Sequence, residues 1–321
     1  MLQQTQVATV IGYYDRFLQR FADVHALAAA PVGEVLQLWA GLGYYARARM
    51  AHRCAQAVVA AGGQFPRTAQ ALARLPGIGP STAAAIAAFC FDERAAILDA
   101  NVKRVLARRH AIAGDPKQPA VLERLWEAAR AILPPAADMG RYTQAIMDLG
   151  ATLCTRSRPR CDQCPVQADC QARLQGRTDE LPGRSPARAR PRRTAHLLVA
   201  VRRDAVLLEE RPPRGIWGGL LSLPEFASLP QLQAGARTLG DADPAPLAER
   251  HHGFTHFTLA FTPHLLQLRN ARGGGPRAGR APASGSAAPR RWLPLDQIES
   301  AALPAPIRAL LCEVRDNFLR A

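Results

Sequence analysis

Four cysteines fall within 17 positions, Cys154-x6-Cys161-x2-Cys164-x5-Cys170, and no other feature restricts the chain so tightly. Zinc sites usually join two short pairs across a longer gap, often with histidine among the ligands. This window holds no histidine, and Pro165 follows Cys164 directly. Soft all-sulfur ligation from one tight loop suits a single [4Fe–4S] cluster. Zinc and chance clustering remain as alternatives. Disulfides belong to oxidising compartments and are not expected here. Between the first two cysteines the loop TRSRPR carries Arg156, Arg158 and Arg160. Ligation would hold these arginines in place, as phosphate contacts require; an ordinary solvated basic loop is the other reading. Cys54, Cys90 and Cys312 stand alone and are expected to be ordinary buried residues.

The chain has 321 residues, room for two domains with a core each. Its formal charge is +15 and its pI about 10.6, which suits a polyanionic partner. Of the 41 basic residues, however, only Lys103 and Lys117 are lysine, a bias that reads as genome composition. Charge alone therefore leaves nucleic-acid binding and plain composition evenly balanced. No uninterrupted apolar run approaches the ~18 residues of a membrane span, and the N-terminus lacks the pattern of a signal peptide. A monomer in the cytoplasm, associated with the nucleoid, is expected.

Residues 1–175 read as helical, beginning with Val7, Val10, Ile11, Tyr14, Phe17, Leu18 and Phe21 at helical spacing. That helix should start at or near Met1. An apolar helix at the first methionine, with no N-cap ahead of it, hints at missing upstream sequence. Further helical patterns cover 32–40, 45–60, 68–74, 81–91, 101–111, 119–132 and 139–153. Residues 176–193 are rich in Pro, Gly and Arg and read as a linker. From 194 to 321 the period shifts: HLLVAVRRDAVLLEERP predicts two strands around a turn at Arg203-Asp204, FTHFTLAFTPHLLQL predicts another strand, and PAPIRALLCEVRDNFL predicts a closing helix. This second domain is mixed α/β, and the low-complexity stretch 270–291 should form a loop.

Leu75-Pro76-Gly77-Ile78-Gly79-Pro80-Ser81-Thr82 lies between two helical patterns. Gly77 and Gly79 permit a tight turn with close backbone approach, and the next helix would aim free N–H groups at a phosphate. This is the helix-hairpin-helix pattern, which grips DNA backbone without reading bases; a plain helix–helix turn is the alternative. Asp99, in ILDANVKRVLARR, should cap a helix. Near the helix dipole its carboxylate stays ionised, as an oxocarbenium-like sugar cation needs.

In this order the elements resemble the helix-hairpin-helix glycosylases of the endonuclease III superfamily, and most closely the A/G-specific adenine DNA glycosylase family. The resemblance rests on MLQQTQV, LWAGLGYYARAR, LPGIGPSTAAAI, ILDANVKRVLAR, MDLGATLCTRSRPRC, RGIWGGLLSLPEF and FTHF, spread over nearly the whole chain. It implies an all-α glycosylase domain with an iron–sulfur loop and a Nudix-like C-terminal domain. The implied activity is base-excision repair of double-stranded DNA, removing adenine mispaired with 8-oxoguanine or guanine. The bifunctional relatives attack the sugar with a hairpin lysine; Ser81 stands there and implies a monofunctional enzyme. By the same resemblance Gln4 and Tyr44 would probe the duplex, with Tyr44 wedged into the stack. Asn101 would support the sugar and Asp99, Lys103 would lie near DNA, and Thr255 and His256 would face the oxidised guanine. Thr255 replaces the serine of the family pattern but keeps the hydroxyl. The glutamate-rich box of true Nudix hydrolases is absent after LPEF, so nucleotide hydrolysis is not expected.

In the family the general acid is a glutamate two residues before the methionine of M-L-Q-Q-T, which would place it upstream of Met1. Two expectations follow: a true start lies upstream and restores it, or the chain binds its lesion without cutting. An endonuclease III-like enzyme acting on oxidised pyrimidines is the alternative enzyme, against which Ser81 and the C-terminal domain both argue.

Overall fold

The computed structural model describes residues 1–3, 5–185, 189–268 and 289–318. In chain order the helices of the first half are α1 (Val7–Arg20), α2 (Val24–Ala29), α3 (Val32–Trp39), α4 (Ala46–Ala60), α5 (Ala69–Leu72), α6 (Pro80–Phe91), α7 (Ala100–Arg109), α8 (Pro119–Ala131), α9 (Met139–Asp148) and α10 (Gln171–Leu174). There follow β1 (Arg192–Arg202), β2 (Ala205–Glu210), β3 (Leu221–Ser222), β4 (Glu225–Phe226), α11 (Leu229–Arg237), β5 (Ala245–Pro246), β6 (Arg250–Gly253), β7 (Thr258–Leu268), β8 (Arg290–Pro294) and α12 (Ala305–Phe318). Local chemistry sets many of the boundaries. Asp23, Thr68 and Asp99 each cap a helix through a side-chain oxygen, while Pro80 and Pro119 open α6 and α8, where no N–H is needed. Contacts divide the chain into two compact units, residues 1–56 with 189–321 and residues 57–188.

In the first unit the sheet path is β3-β2-β1-β7-β5, with β4 on β1, β6 on β7 and β8 on β2. β1 and β7 run parallel from Arg192 opposite Thr258 to Arg202 opposite Leu268, and the other pairings are antiparallel. As expected, Arg203-Asp204 forms the β1–β2 turn, and Arg203 takes the left-handed conformation at φ 55°. Strand alternation sorts β1 onto two faces. Leu198 and Ala200 pack with Leu232 and Ala236 of α11. Leu197, Val199 and Val201 join a core with Val35, Leu36 and Trp39 of α3, and with Ile307 and Leu311 of α12.

α1 departs from its expected form. It begins at Val7, because the Arg47 guanidinium gathers the Met1 and Gln3 carbonyls and the Thr5 hydroxyl and holds that segment out of a helix. Val10 and Phe21 are buried, whereas Val7, Ile11, Tyr14 and Leu18 are exposed.

The second unit is helical. Ile97, Leu98, Val102, Leu106, Leu125 and Ile146 form its main core, and Leu72, Ala83 and Ala87 close the α5–α6 hairpin. The pattern read over 139–153 is regular only to Asp148. Residues Leu149–Leu153 widen into a π-helical turn, a local form common at functional sites. Among the described residues no helix is long and apolar enough to cross a membrane. Of the lone cysteines, Cys54 is buried as expected, but Cys312 is half-buried and Cys90 exposed. Cys90 follows the exposed Phe89 on the uncovered side of α6, whose buried face is built of small alanines.

Candidate nucleic-acid interface and cysteine loop

In the helical unit, α5 and α6 form the hairpin and present Gly77 and Gly79 to solvent. Gly77 sits at φ 77°, a conformation L side chains rarely adopt. Gly79 is different: its backbone is extended, at φ −81° and ψ 167°, and a Cβ built there meets nothing. The fold itself does not require glycine at 79, so the open space is available to an outside partner. The Ser81 hydroxyl accepts a hydrogen bond from the Leu98 N–H at 3.0 Å, tying the start of α6 to the residue before Asp99.

Asp99 caps α7 as expected, its Oδ1 accepting from the Val102 N–H at 2.8 Å. Asn101 follows on the first turn and Lys103, half-buried, on the same helix. Helical spacing then places Arg104 and Arg108 one turn apart along α7. Arg104 donates to the Asn101 side-chain oxygen at 2.9 Å, the Gly150 carbonyl at 2.6 Å and the Cys154 carbonyl at 2.6 Å. Gly150 is pressed against α7, since a Cβ there would lie 2.7 Å from the Asn101 Cβ. Arg108 is 2% exposed and donates to the carbonyls of Leu181, Thr155 and Arg156, with the Cys154 Sγ at 3.3 Å. A buried cation is tolerated because oxygen and sulfur acceptors surround it. Neither arginine was singled out by sequence reasoning. Their spacing of four was the available signal, and it was hidden by the abundance of arginine.

Cys154, Cys161, Cys164 and Cys170 line one small cavity of about 20 Å³, with Arg108 and Gln167 also on its wall. Burial, then the neighbouring Cys154 and Cys170 sulfurs, push the Cys161 thiol up, against the pull of Arg108. Among the described residues no three Cys, His, Asp or Glu side chains are grouped as a single ion would require. The donor set is four thiols around a common space, with no histidine on its wall. Arg158 in this loop takes a left-handed conformation at φ 50°, and Arg160 donates to the Thr152 carbonyl at 2.6 Å.

The remaining site residues belong to the sheet-containing unit. Tyr44 is 52% exposed and sits at φ 47° just before α4. The Arg47 guanidinium lies 5.5 Å from its ring and 5.4 Å from that of Trp39, while bonding the Leu42 and Gly43 carbonyls. Gln4 lies outside the described residues; its neighbours Gln3 and Thr5 are held by Arg47. Thr255 and His256 are both exposed, but not on a strand as expected. The pairing of Gly253 with Thr258 ends the β6–β7 ladder, and residues 254–257 form the turn. Stacking of Phe254 on Phe257 at 4.6 Å, with the Phe254 N–H donating to the Phe257 carbonyl, closes it and leaves the polar pair at the tip. The apolar–polar alternation that suggested a strand was the signature of that closed turn.

Comparison with known proteins supplies the family. Residues 1–131 match the family described as HhH-GPD superfamily base excision DNA repair protein, and residues 195–313 match the NUDIX domain. The chain is 35% identical to the adenine DNA glycosylase of Rattus norvegicus, an alignment covering 96% of this chain and 69% of the rat protein. Against the adenine DNA glycosylase of Mus musculus the identity is 36%, over 99% of this chain and 70% of that one. Among solved structures, a thermostable thymine-DNA glycosylase aligns with a TM-score of 0.49 at 27% identity, covering 54% of this chain and 80% of its own.

Proposed function

The chain belongs to the adenine DNA glycosylase family, and on that premise we propose that it is a monofunctional base-excision enzyme hydrolysing the N-glycosidic bond of adenine mispaired with 8-oxoguanine or guanine. Adenine inside a duplex is unreachable, so the nucleotide is flipped out at a cost of a few kcal/mol. The hairpin at Gly77 and Gly79 and the side chain of Lys103 take the phosphate backbone, Gln4 and Tyr44 probe the duplex with Tyr44 filling the gap left in the stack, and Thr255 and His256 meet the oxidised guanine. Breaking the bond to deoxyribose needs an acid for the leaving base and a carboxylate opposite the developing sugar cation. Asp99 supplies the carboxylate, supported by Asn101.

The observation that carries this reading is the tie between Ser81 and Leu98, the residue before Asp99. The hairpin side chain that reaches the Asp99 segment is a hydroxyl already engaged with the Leu98 N–H. It has no amine with which to form a Schiff base, so water is the nucleophile. This also weighs against the endonuclease III-like alternative.

One [4Fe–4S] cluster fits the four thiols of Cys154, Cys161, Cys164 and Cys170, which come from one short loop, line a shared cavity and have no histidine among them. When bound, its contribution is structural: it fixes the loop bearing Arg156, Arg158 and Arg160.

A cationic sugar mimic tests the Asp99 assignment without relying on turnover. Duplexes carrying either a pyrrolidine cation or a neutral tetrahydrofuran opposite 8-oxoguanine are compared by binding titration. The cation is expected to bind tighter by roughly tenfold or more, as a charge-assisted contact should, and Asp99→Asn should abolish that preference while keeping the cap on α7. Equal affinity for the two mimics in the parent protein would remove Asp99 from the site.

A further inference from the structure

We propose that Arg49 is a positioning residue that locks the Tyr44 end of α4 to the Thr255-His256 turn, fixing the distance between the wedge and the lesion-reading contacts. This rests on the assignment of Thr255 and His256 above. All the residues involved belong to the same compact unit.

Arg49 lies on the first turn of α4, five positions after Tyr44, and its Nη1 donates to the Gly218 carbonyl at 2.6 Å. That carbonyl is not free to drift. A Cβ at position 218 would come within 2.6 Å of the Pro213 carbonyl oxygen and 2.9 Å of that of Pro212, so only glycine fits the packed loop. The Gly219 N–H donates to the Arg211 carbonyl at 3.1 Å and the Leu220 N–H to that of Trp217 at 3.0 Å.

Trp217 itself is 6% exposed and held at φ 54°, a conformation a bulky L residue keeps only where its surroundings over-determine it. Those surroundings are the turn. The indole lies 5.7 Å from the Phe254 ring and 6.0 Å from that of His252. Phe254 stacks on Phe257, over which the Arg193 guanidinium sits at 4.5 Å. An unbroken series of contacts thus runs from α4 through Arg49, Gly218 and Trp217 to the two phenylalanines that bracket Thr255 and His256. Two DNA-reading elements on one protein must be spaced to match one duplex, and a half-buried guanidinium–carbonyl bond into an immovable loop sets such a spacing.

Spatial continuity alone does not establish coupling, so the test is a double-mutant cycle. Binding is measured on duplexes carrying 2′-fluoro-2′-deoxyadenosine, which resists cleavage, opposite either 8-oxoguanine or guanine, well below the melting temperature of each variant. The readout is the ratio of the two Kd values. Arg49→Met should lower the preference for 8-oxoguanine roughly tenfold, the scale of losing one charge-assisted hydrogen bond. Arg49→Lys, which can still donate to Gly218, should restore most of it. In a His256→Ala background Arg49→Met should cause no further loss, because the contact it positions is already gone.

Should Arg49→Met fail to fold, Arg49→Gln, too short to reach the carbonyl, takes its place. An unchanged ratio in Arg49→Met, or a full additional loss on top of His256→Ala, would overturn the proposal. If His256→Ala alone leaves the ratio unchanged, the assignment of the turn has failed, and Arg49 falls with it for that separate and recognisable reason.

Discussion

Gly77 and Gly79 stand two residues apart in the same hairpin and are glycine for different reasons. At φ 77°, Gly77 is demanded by the backbone. A Cβ at Gly79, in contrast, would stand in open space on an extended backbone. Gly77→Ala is therefore expected to destabilise the protein by about 1 kcal/mol or more, and Gly79→Ala to leave stability unchanged or raise it by up to about 1 kcal/mol. DNA affinity should nevertheless fall in Gly79→Ala, since the added methyl occupies space reserved for a phosphate. Thermal melts beside salt-dependent binding curves separate these effects. A Gly79→Ala protein binding duplex as tightly as its parent would reduce the motif to an ordinary helix–helix turn.

At the scale of elements, β1 and β7 bring together two residues that nothing in the sequence connects. His196 Nδ1 lies 3.1 Å from His264 Nε2, and His264 is 4% exposed with its Nδ1 buried and without a hydrogen-bond partner. Burial, and then the neighbouring His196, hold the His264 imidazole below its ordinary value of 6.5; burial acts on His252 in the same direction. A histidine that resists protonation when folded gives stability that is complete above the unfolded value. That stability is lost as pH falls through about 6.5, where the unfolded chain takes up the proton first. The melting temperature should accordingly drop between about pH 8 and about pH 5. His264→Gln, which cannot be protonated but can still bond His196, should flatten the decline. A parent protein melting at the same temperature across that range would contradict the argument.

For the whole molecule, the important fact is which residues share a core. Leu36, Trp39, Leu42 and Tyr45, from the helical first quarter of the chain, pack with Leu197, Val199, Trp217, Leu220 and Phe261 of the sheet-containing half. Burying each large side chain is worth roughly 1.5–3 kcal/mol, so four of them together match much of a domain's net stability of about 5–15 kcal/mol. Deleting residues 194–321 is expected to cost more than lesion preference. Helices α1 to α4 should lose protection from proteolysis and bind a hydrophobic dye. A truncated protein in which these helices stay protected would show that they fold without the sheet.

Sequence alone determined whatever depends on residues close along the chain. The Asp99 cap, the Arg203-Asp204 turn and most helix boundaries follow from contacts spanning about four positions, as does the crowding of four thiols into one loop. The tertiary structure decided what depends on reach. In a chain where almost every basic residue is arginine, no pattern marks out Arg47, Arg49, Arg104 or Arg108, because each is defined by the carbonyls that the fold brings to its guanidinium. The FTHF turn was misread for a related reason. Alternating apolar and polar residues describe both a half-buried strand and a tight turn with two stacked rings beneath it, and only the β6–β7 pairing distinguishes them. The partners of the first helices were likewise invisible to the sequence, since an apolar stripe records that a face must be covered but not what covers it.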